Sequence, residues 1–124
     1  MRQNMRETLK GKTFYGSCSF SFSDSTQTEE YTIYFVDEKY CNITQTITRT
    51  PRFNYDEATT TEKTYKRIPY TISGGIGGLK FNWDCTSDPY HSVEPFHISQ
   101  ASSSISMHTE NFNSHKKMAL REYP

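Results

Sequence analysis

Asp84, Cys85, Asp88 and His91 are the residues whose types and nearness most suggest chemistry. A thiol, an imidazole and carboxylates are the components of a Cys/His nucleophilic site. Such sites are defined by geometry in three dimensions, and a local cluster imposes none. No catalytic residue is assigned here. His97, His108 and His115 are bases or ligands by type, but they form neither a His-x-x-x-His pair nor a HExxH motif. Alternation with Phe96, Ile98 and Met107 turns His97 and His108 toward solvent. Zinc calls for close Cys or His pairs, and Cys18, Cys41 and Cys85 are widely spaced. No metal and no cofactor are expected. The three thiols leave two states open: one disulfide with one thiol in an oxidising compartment, or three reduced, partly buried thiols. The run Gly74–Gly78 lacks the Lys-Ser/Thr and the helix of a phosphate loop, and it leads into a strand, so it reads as a hairpin turn. Asn42-Ile43-Thr44 matches a glycosylation sequon that falls in the middle of a strand.

The aromatic residues are more informative. Phe14, Phe20, Phe22, Tyr31, Phe35, Phe81 and Trp83 share one predicted inward parity. They are either a filled core or the lining of a cavity for an apolar or planar ligand.

The elements that must position them are short. Met1, Met5 and Leu9 suit one face of a helix over residues 2–10, which Gly11 stops. From Lys12 the period becomes two, with Phe14, Gly16, Cys18, Phe20 and Phe22 on one face. Asp24–Thr28 reads as a polar turn, and Tyr31, Ile33 and Phe35 resume the alternation. A loop of three residues, Asp37-Glu38-Lys39, pairs Phe35 with Cys41 and Ile33 with Ile43; a two-residue loop would set apolar against polar positions. Thr50–Asn54 breaks the next strand. Thr60–Ser73 places Lys66, Ile68, Tyr70 and Ile72 on one parity, with Pro69 marking an edge, a bulge or two pieces. Leu79, Phe81 and Trp83 form the cleanest amphipathic strand. Phe96 with Ile98, Ile105 with Met107, and Met118 with Leu120 follow, and Asn111–Ser114 reads as a break. About eight strands with hairpin-length links predict an all-β, antiparallel up-and-down barrel, lipocalin-like, with a short N-terminal helix.

Composition agrees. The chain of 124 residues suits one domain, 1–124, with aromatics at 15% against an apolar content of 33%. Fourteen basic residues balance 14 acidic ones, so the basic excess that nucleic acid needs is missing; Lys116, Lys117 and Arg121 read as a solvated strand end. No apolar run approaches the roughly 18 residues of a membrane span. The N-terminus lacks a signal-peptide apolar region, and the compartment stays open: secreted or periplasmic if a leader was removed, otherwise cytoplasmic.

Two ends of the chain carry a family resemblance. Leu9-Lys10-Gly11-Lys12-Thr13-Phe14-Tyr15 and Met118-Ala119-Leu120-Arg121 resemble the lipocalin-like (calycin) barrels. In that family a Gly-x-Trp motif opens the first strand after a short helix, and an Arg near the final strand covers the Trp. The resemblance implies Phe14 as the aromatic and Arg121 as the cation, stacked to close the barrel bottom. The chain departs from the motif in having two residues between Gly11 and Phe14, and Phe in place of Trp. A barrel open at one end, often holding a small apolar ligand, is what the resemblance implies.

The leading expectation is a non-enzymatic binding protein for a small hydrophobic ligand, with Phe20, Phe22, Tyr31, Ile33, Phe35, Phe81 and Trp83 lining a cavity on the order of several hundred Å³. The alternative is a protein-interaction or inhibitor module with a solid barrel, working through Thr50–Thr61 and Thr86–Glu94 with exposed Tyr40, Tyr55 and Tyr90 as anchors. A barrel enzyme would need an ionisable group inside, and the inward faces carry almost none.

Overall fold

The computed structural model describes residues 2–84, 95–101, 103–112 and 116–123. A helix, α1 (Arg2–Leu9), precedes eight strands: β1 (Thr13–Ser21), β2 (Ser25–Phe35), β3 (Tyr40–Pro51), β4 (Thr59–Gly75), β5 (Gly78–Trp83), β6 (Phe96–Ala101), β7 (Ser104–Phe112) and β8 (Lys116–Glu122). Each strand pairs antiparallel with the next, and β1 pairs with β8, so the sheet closes into a barrel. This is the architecture the alternation predicted. One 3₁₀ turn, Tyr55–Glu57, lies in the connection between β3 and β4.

Helix α1 covers one end of the barrel because Met5 and Leu9 bury on its inner face. Gly11, at φ 81°, lets the chain turn where a side chain would be strained, and its N–H reaches the Phe35 carbonyl at 2.8 Å. Arg2 Nε donates to the Gly74 carbonyl at 3.0 Å, and Gln3 Nε2 donates to Glu38 Oε1 at 2.9 Å. The helix is thereby tied to the β4–β5 and β2–β3 turns, which share its end of the barrel. Inside that end, Phe35 meets Phe14, Tyr70 and Phe81 edge-on, with centroids 5.7, 5.0 and 5.2 Å away. Aromatic edges and faces attract in this arrangement, beyond the burial of their area.

Register follows the buried face. Phe35 pairs with Cys41 and Ile33 with Ile43, as the three-residue loop requires. Asp37 Oδ1 accepts from the N–H of Lys39 at 2.7 Å and of Tyr40 at 2.9 Å, fixing that loop. In β4 the Pro69 signal resolves as a bulge: Lys66 and Arg67 both face Asn42 of β3, between the pairs Ile43↔Tyr65 and Cys41↔Ile68. Arg67 takes φ 56°, its N–H donates to Asn42 Oδ1 at 2.9 Å, and its guanidinium lies 4.4 Å from the Tyr40 ring centroid. Asn42, the sequon residue, is thus spent on the bulge.

Three expected boundaries and one expected face are corrected. Residues 25–28 are strand rather than turn, Thr50 and Pro51 belong to β3 rather than to the break after it, and Asn111 and Phe112 extend β7, with Phe112 buried. Lys66 does not share the inward face of Ile68, Tyr70 and Ile72, because the bulge inverts parity; it is exposed.

Closure is uneven. The paired register of β1 with β8 is confined to Phe14↔Glu122 and Tyr15↔Arg121, although β1 runs on to Ser21. Gly16 sits at the end of that paired stretch, where a Cβ would collide with the Ala119 carbonyl and crowd the side chains of Leu120 and Met118. Backbone cannot yield as a side-chain tip does. Gly16→Ala is therefore expected to destabilise the fold by roughly 1–3 kcal/mol. Gly75→Ala, where a Cβ meets nothing within 4 Å, is expected to stay within about 0.5 kcal/mol. Chemical denaturation of both variants checks the contrast.

Candidate functional site

The inward parity of Tyr31, Ile33 and Phe35 continues back along β2 to Glu29, which is only 5% exposed. The pleat puts every second residue inside, whatever its polarity. A carboxylate there is costly unless donors serve it. Tyr31 OH donates to Glu29 Oε1 at 2.8 Å, and Gln27 Nε2 donates to Glu29 Oε2 at 2.8 Å. From the paired position on β3, Gln45 Nε2 donates to Tyr31 OH at 2.9 Å. Cys18 of β1 lies opposite Glu29. Among the described residues no Lys or Arg is ion-paired with Glu29. Burial first, then the hydrogen bond to Glu29, raises the Tyr31 phenol far above its ordinary value, so it stays a donor across the physiological range.

An aromatic floor lies beside this polar wall. The Tyr31 ring packs on Phe112 at 4.9 Å, and Phe112 meets Trp83 and Phe96, each at 6.0 Å. Among the described residues, Gln45 Oε1, Trp83 Nε1 and Thr109 Oγ1 are inward polar atoms without a hydrogen-bond partner. Their residues are 1%, 3% and 2% exposed. The half of the barrel away from α1 therefore combines apolar rings with a carboxylate, an amide acceptor, an indole donor and a hydroxyl. That combination can hold a molecule with an apolar body and a polar group.

The sequence-derived set divides. Tyr31, Ile33, Phe35, Phe81 and Trp83 are buried, and Phe20 is half-buried against the core. Phe22 is a correction: it lies beyond the end of β1, 43% exposed, with the Arg49 guanidinium 5.2 Å from its ring centroid. The expected closure by Phe14 and Arg121 is also corrected. Phe14 is buried against Phe35, whereas Arg121 pairs with Tyr15 on the opposite parity and is exposed. Lys12 and Glu122, an ion pair at 2.6 Å, tie those chain ends instead. Tyr40 is half-buried rather than exposed. Tyr90, Cys85, Asp88, His91, His115 and the segment Thr86–Glu94 lie outside the described residues, as does the side chain of Tyr55. His97 and His108 are exposed as expected and stack on each other at 5.3 Å. The inward faces, expected to hold almost no ionisable group, carry one carboxylate among the described residues, Glu29, which the sequence reading missed. Continuing the parity of Tyr31 two residues upstream would have found it.

Among the described residues, no three His, Cys, Asp or Glu are placed to hold a metal, and no helix is long and apolar enough to cross a membrane. No protein-family model, curated protein or solved structure matches the chain.

Two predictions test the buried groups. Tyr31→Phe strands both Gln45 Nε2 and Glu29 Oε1, and should cost about 2 kcal/mol. Thr48→Ala, which removes an exposed contact with Thr60, should cost less than about 0.5 kcal/mol in the same denaturation series. The second concerns pH. Burial pushes the Cys41 thiol from 9.0 up to about 12, and burial together with Cys41 pushes Tyr70 from 10.0 up to about 12. Above pH 9 the unfolded chain releases protons that the folded chain keeps, so stability must fall from about pH 9 to 12 and be unaffected by these groups below it. Cys41→Val should make that fall shallower by about 1 kcal/mol per pH unit between pH 9 and 11. An unchanged slope would mean that the thiol ionises freely in the folded barrel.

Proposed function

We propose that this protein is a non-enzymatic binding protein that takes a small, largely apolar ligand into the barrel half remote from α1. The observation that carries the reading is Glu29, a buried carboxylate that among the described residues is served by two neutral donors, Gln27 and Tyr31. A carboxylate has room for about four hydrogen bonds, and two are made here. A ligand with an ammonium or hydroxyl group would add the rest, while its apolar part covers Tyr31, Phe112 and Trp83. Pockets of this type are mostly apolar with a few placed polar groups. The lipocalin-like resemblance at the chain ends implies the same kind of ligand, although the closure it implies between Phe14 and Arg121 is not made.

The protein-interaction reading rests on a different feature. Phe53 is 91% exposed in the β3–β4 connection. Its neighbour Arg52 donates to the Phe22 carbonyl at 2.7 Å, linking that connection to the β1–β2 turn. An exposed aromatic on two tied loops is a natural anchor for a protein partner.

Trp83 is the one tryptophan of the chain and reports on the floor directly. Titration with decylamine should change its emission saturably and add the ligand mass in native mass spectrometry. Decanoate should bind at least about tenfold more weakly, since its charge opposes Glu29. Glu29→Gln should abolish the preference. Absence of binding by both probes, or equal binding, would sink the carrier reading and leave the Phe22–Phe53 loops as the working surface.

A further inference from the structure

We propose that His97 and His108 form a two-ligand site for a late divalent transition-metal ion, Cu²⁺ before Ni²⁺ or Zn²⁺, on the outer face of β6 and β7. The inference is independent of the interior ligand, since both imidazoles lie on the outward parity of their strands.

Strand pairing brings the two ligands together. His97 of β6 stands opposite His108 of β7. Residues so paired hold their Cβ atoms about 4.5–5.5 Å apart, and here the rings stack, with 5.3 Å between centroids and 29° between planes. A metal sits about 2.0–2.1 Å from each imidazole nitrogen, so two ligand nitrogens can be no more than about 4 Å apart. Rings already side by side reach that spacing by a small turn about χ2, which is a broad, soft torsion. Both side chains are exposed, so the turn is made toward solvent. The backbone beneath them is fixed. Phe96, Met107 and Thr109, next to the pair in sequence, are buried, and the register runs unbroken from the pair to Ala101↔Ser104. A slip by one residue would turn Phe96 and Met107 outward. Folding therefore sets the two ligands side by side before any metal arrives, and preorganisation of this kind raises affinity.

The surroundings choose the ion. Lys80 of β5 is paired with His97, and Ala119 of β8 is paired with His108. Glu110, two residues beyond His108, is tied to Lys117 at 3.6 Å. Among the described residues no third His, Cys, Asp or Glu is placed to join the pair on a metal. Ca²⁺ and Mg²⁺ want several oxygen ligands, and a pair of imidazoles beside a lysine offers them none. Imidazole nitrogen suits Cu²⁺, Ni²⁺ and Zn²⁺, and for one ligand set Cu²⁺ binds most tightly. Two protein ligands leave the remaining coordination positions to water.

The test is calorimetric titration of the full chain with nickel chloride, a probe that does not oxidise thiols. One saturable site per chain is expected, with Cu²⁺ displacing the nickel and excess Ca²⁺ or Mg²⁺ leaving it bound. His97→Gln and His108→Gln should each weaken nickel binding at least about tenfold, because either loss removes the second, intramolecular contact. The other two histidines of the chain, His91 and His115, serve as controls. His91→Gln and His115→Gln should leave the affinity within about twofold of the parent. Trp83 emission, compared across the four variants, shows that the barrel is intact in each. Absence of a saturable site would overturn the proposal. So would a loss confined to one of the His97 and His108 variants, or one shared equally by all four.

Discussion

An eight-stranded barrel is just wide enough for side chains from its wall to fill it, and this constraint governs the molecule. Phe35 shows how it is met. Its ring touches Phe14 from β1, Tyr70 from β4 and Phe81 from β5, so strands far apart in sequence meet on one side chain. Phe81 then meets Trp83 and Phe96, and Phe112 joins them to Tyr31, so one chain of ring contacts runs from the α1 end to the polar wall. With Met5 and Leu9 of α1 covering the first ring layer, the two halves of the barrel become different solvents. One is lined mainly by rings and aliphatic side chains; the other mixes rings with hydrogen-bonding groups.

Glu29 belongs to the second half, and its neighbours follow from its cost. An unserved buried charge costs several kcal/mol. Tyr31 and Gln27 offset this by donating to separate carboxylate oxygens, and Gln45 completes the chain by donating to Tyr31. The same neighbours that make the carboxylate tolerable raise the Tyr31 phenol and keep its proton in place. Conformation and protonation are therefore one problem here, solved by neighbours two residues away along β2 and by the register that sets Gln45 opposite Tyr31.

Closure is the second constraint. The turn end near α1 is held by Lys12 with Glu122 and by the two paired positions of β1 and β8. Past Tyr15 the ladder stops, and Gly16 allows the backbone of β8 to approach where any other residue would hold it off.

The alternation of apolar residues determined the barrel, the strand order of hairpins and the β2–β3 register, since each depends on which face is buried and that is written locally in a period of two. The helix also was legible, from Met5, Leu9 and Gly11. Polar residues on the inward face were not. Ser25, Glu29, Gln45 and Thr109 look like surface positions until neighbouring strands are set beside them, so the start of β2 read as a turn and the site lost its carboxylate. The bulge hid Lys66 in the same way, because one extra residue inverts parity downstream. Arg121 was placed on the wrong face because a motif carries residue types and not pleat. Local pattern determined which residues could be inside; only the closed sheet decided which polar groups were carried in with them, with the Glu29 carboxylate served from β2 and the Tyr31 hydroxyl from β3, while Thr109 Oγ1 finds no partner among the described residues.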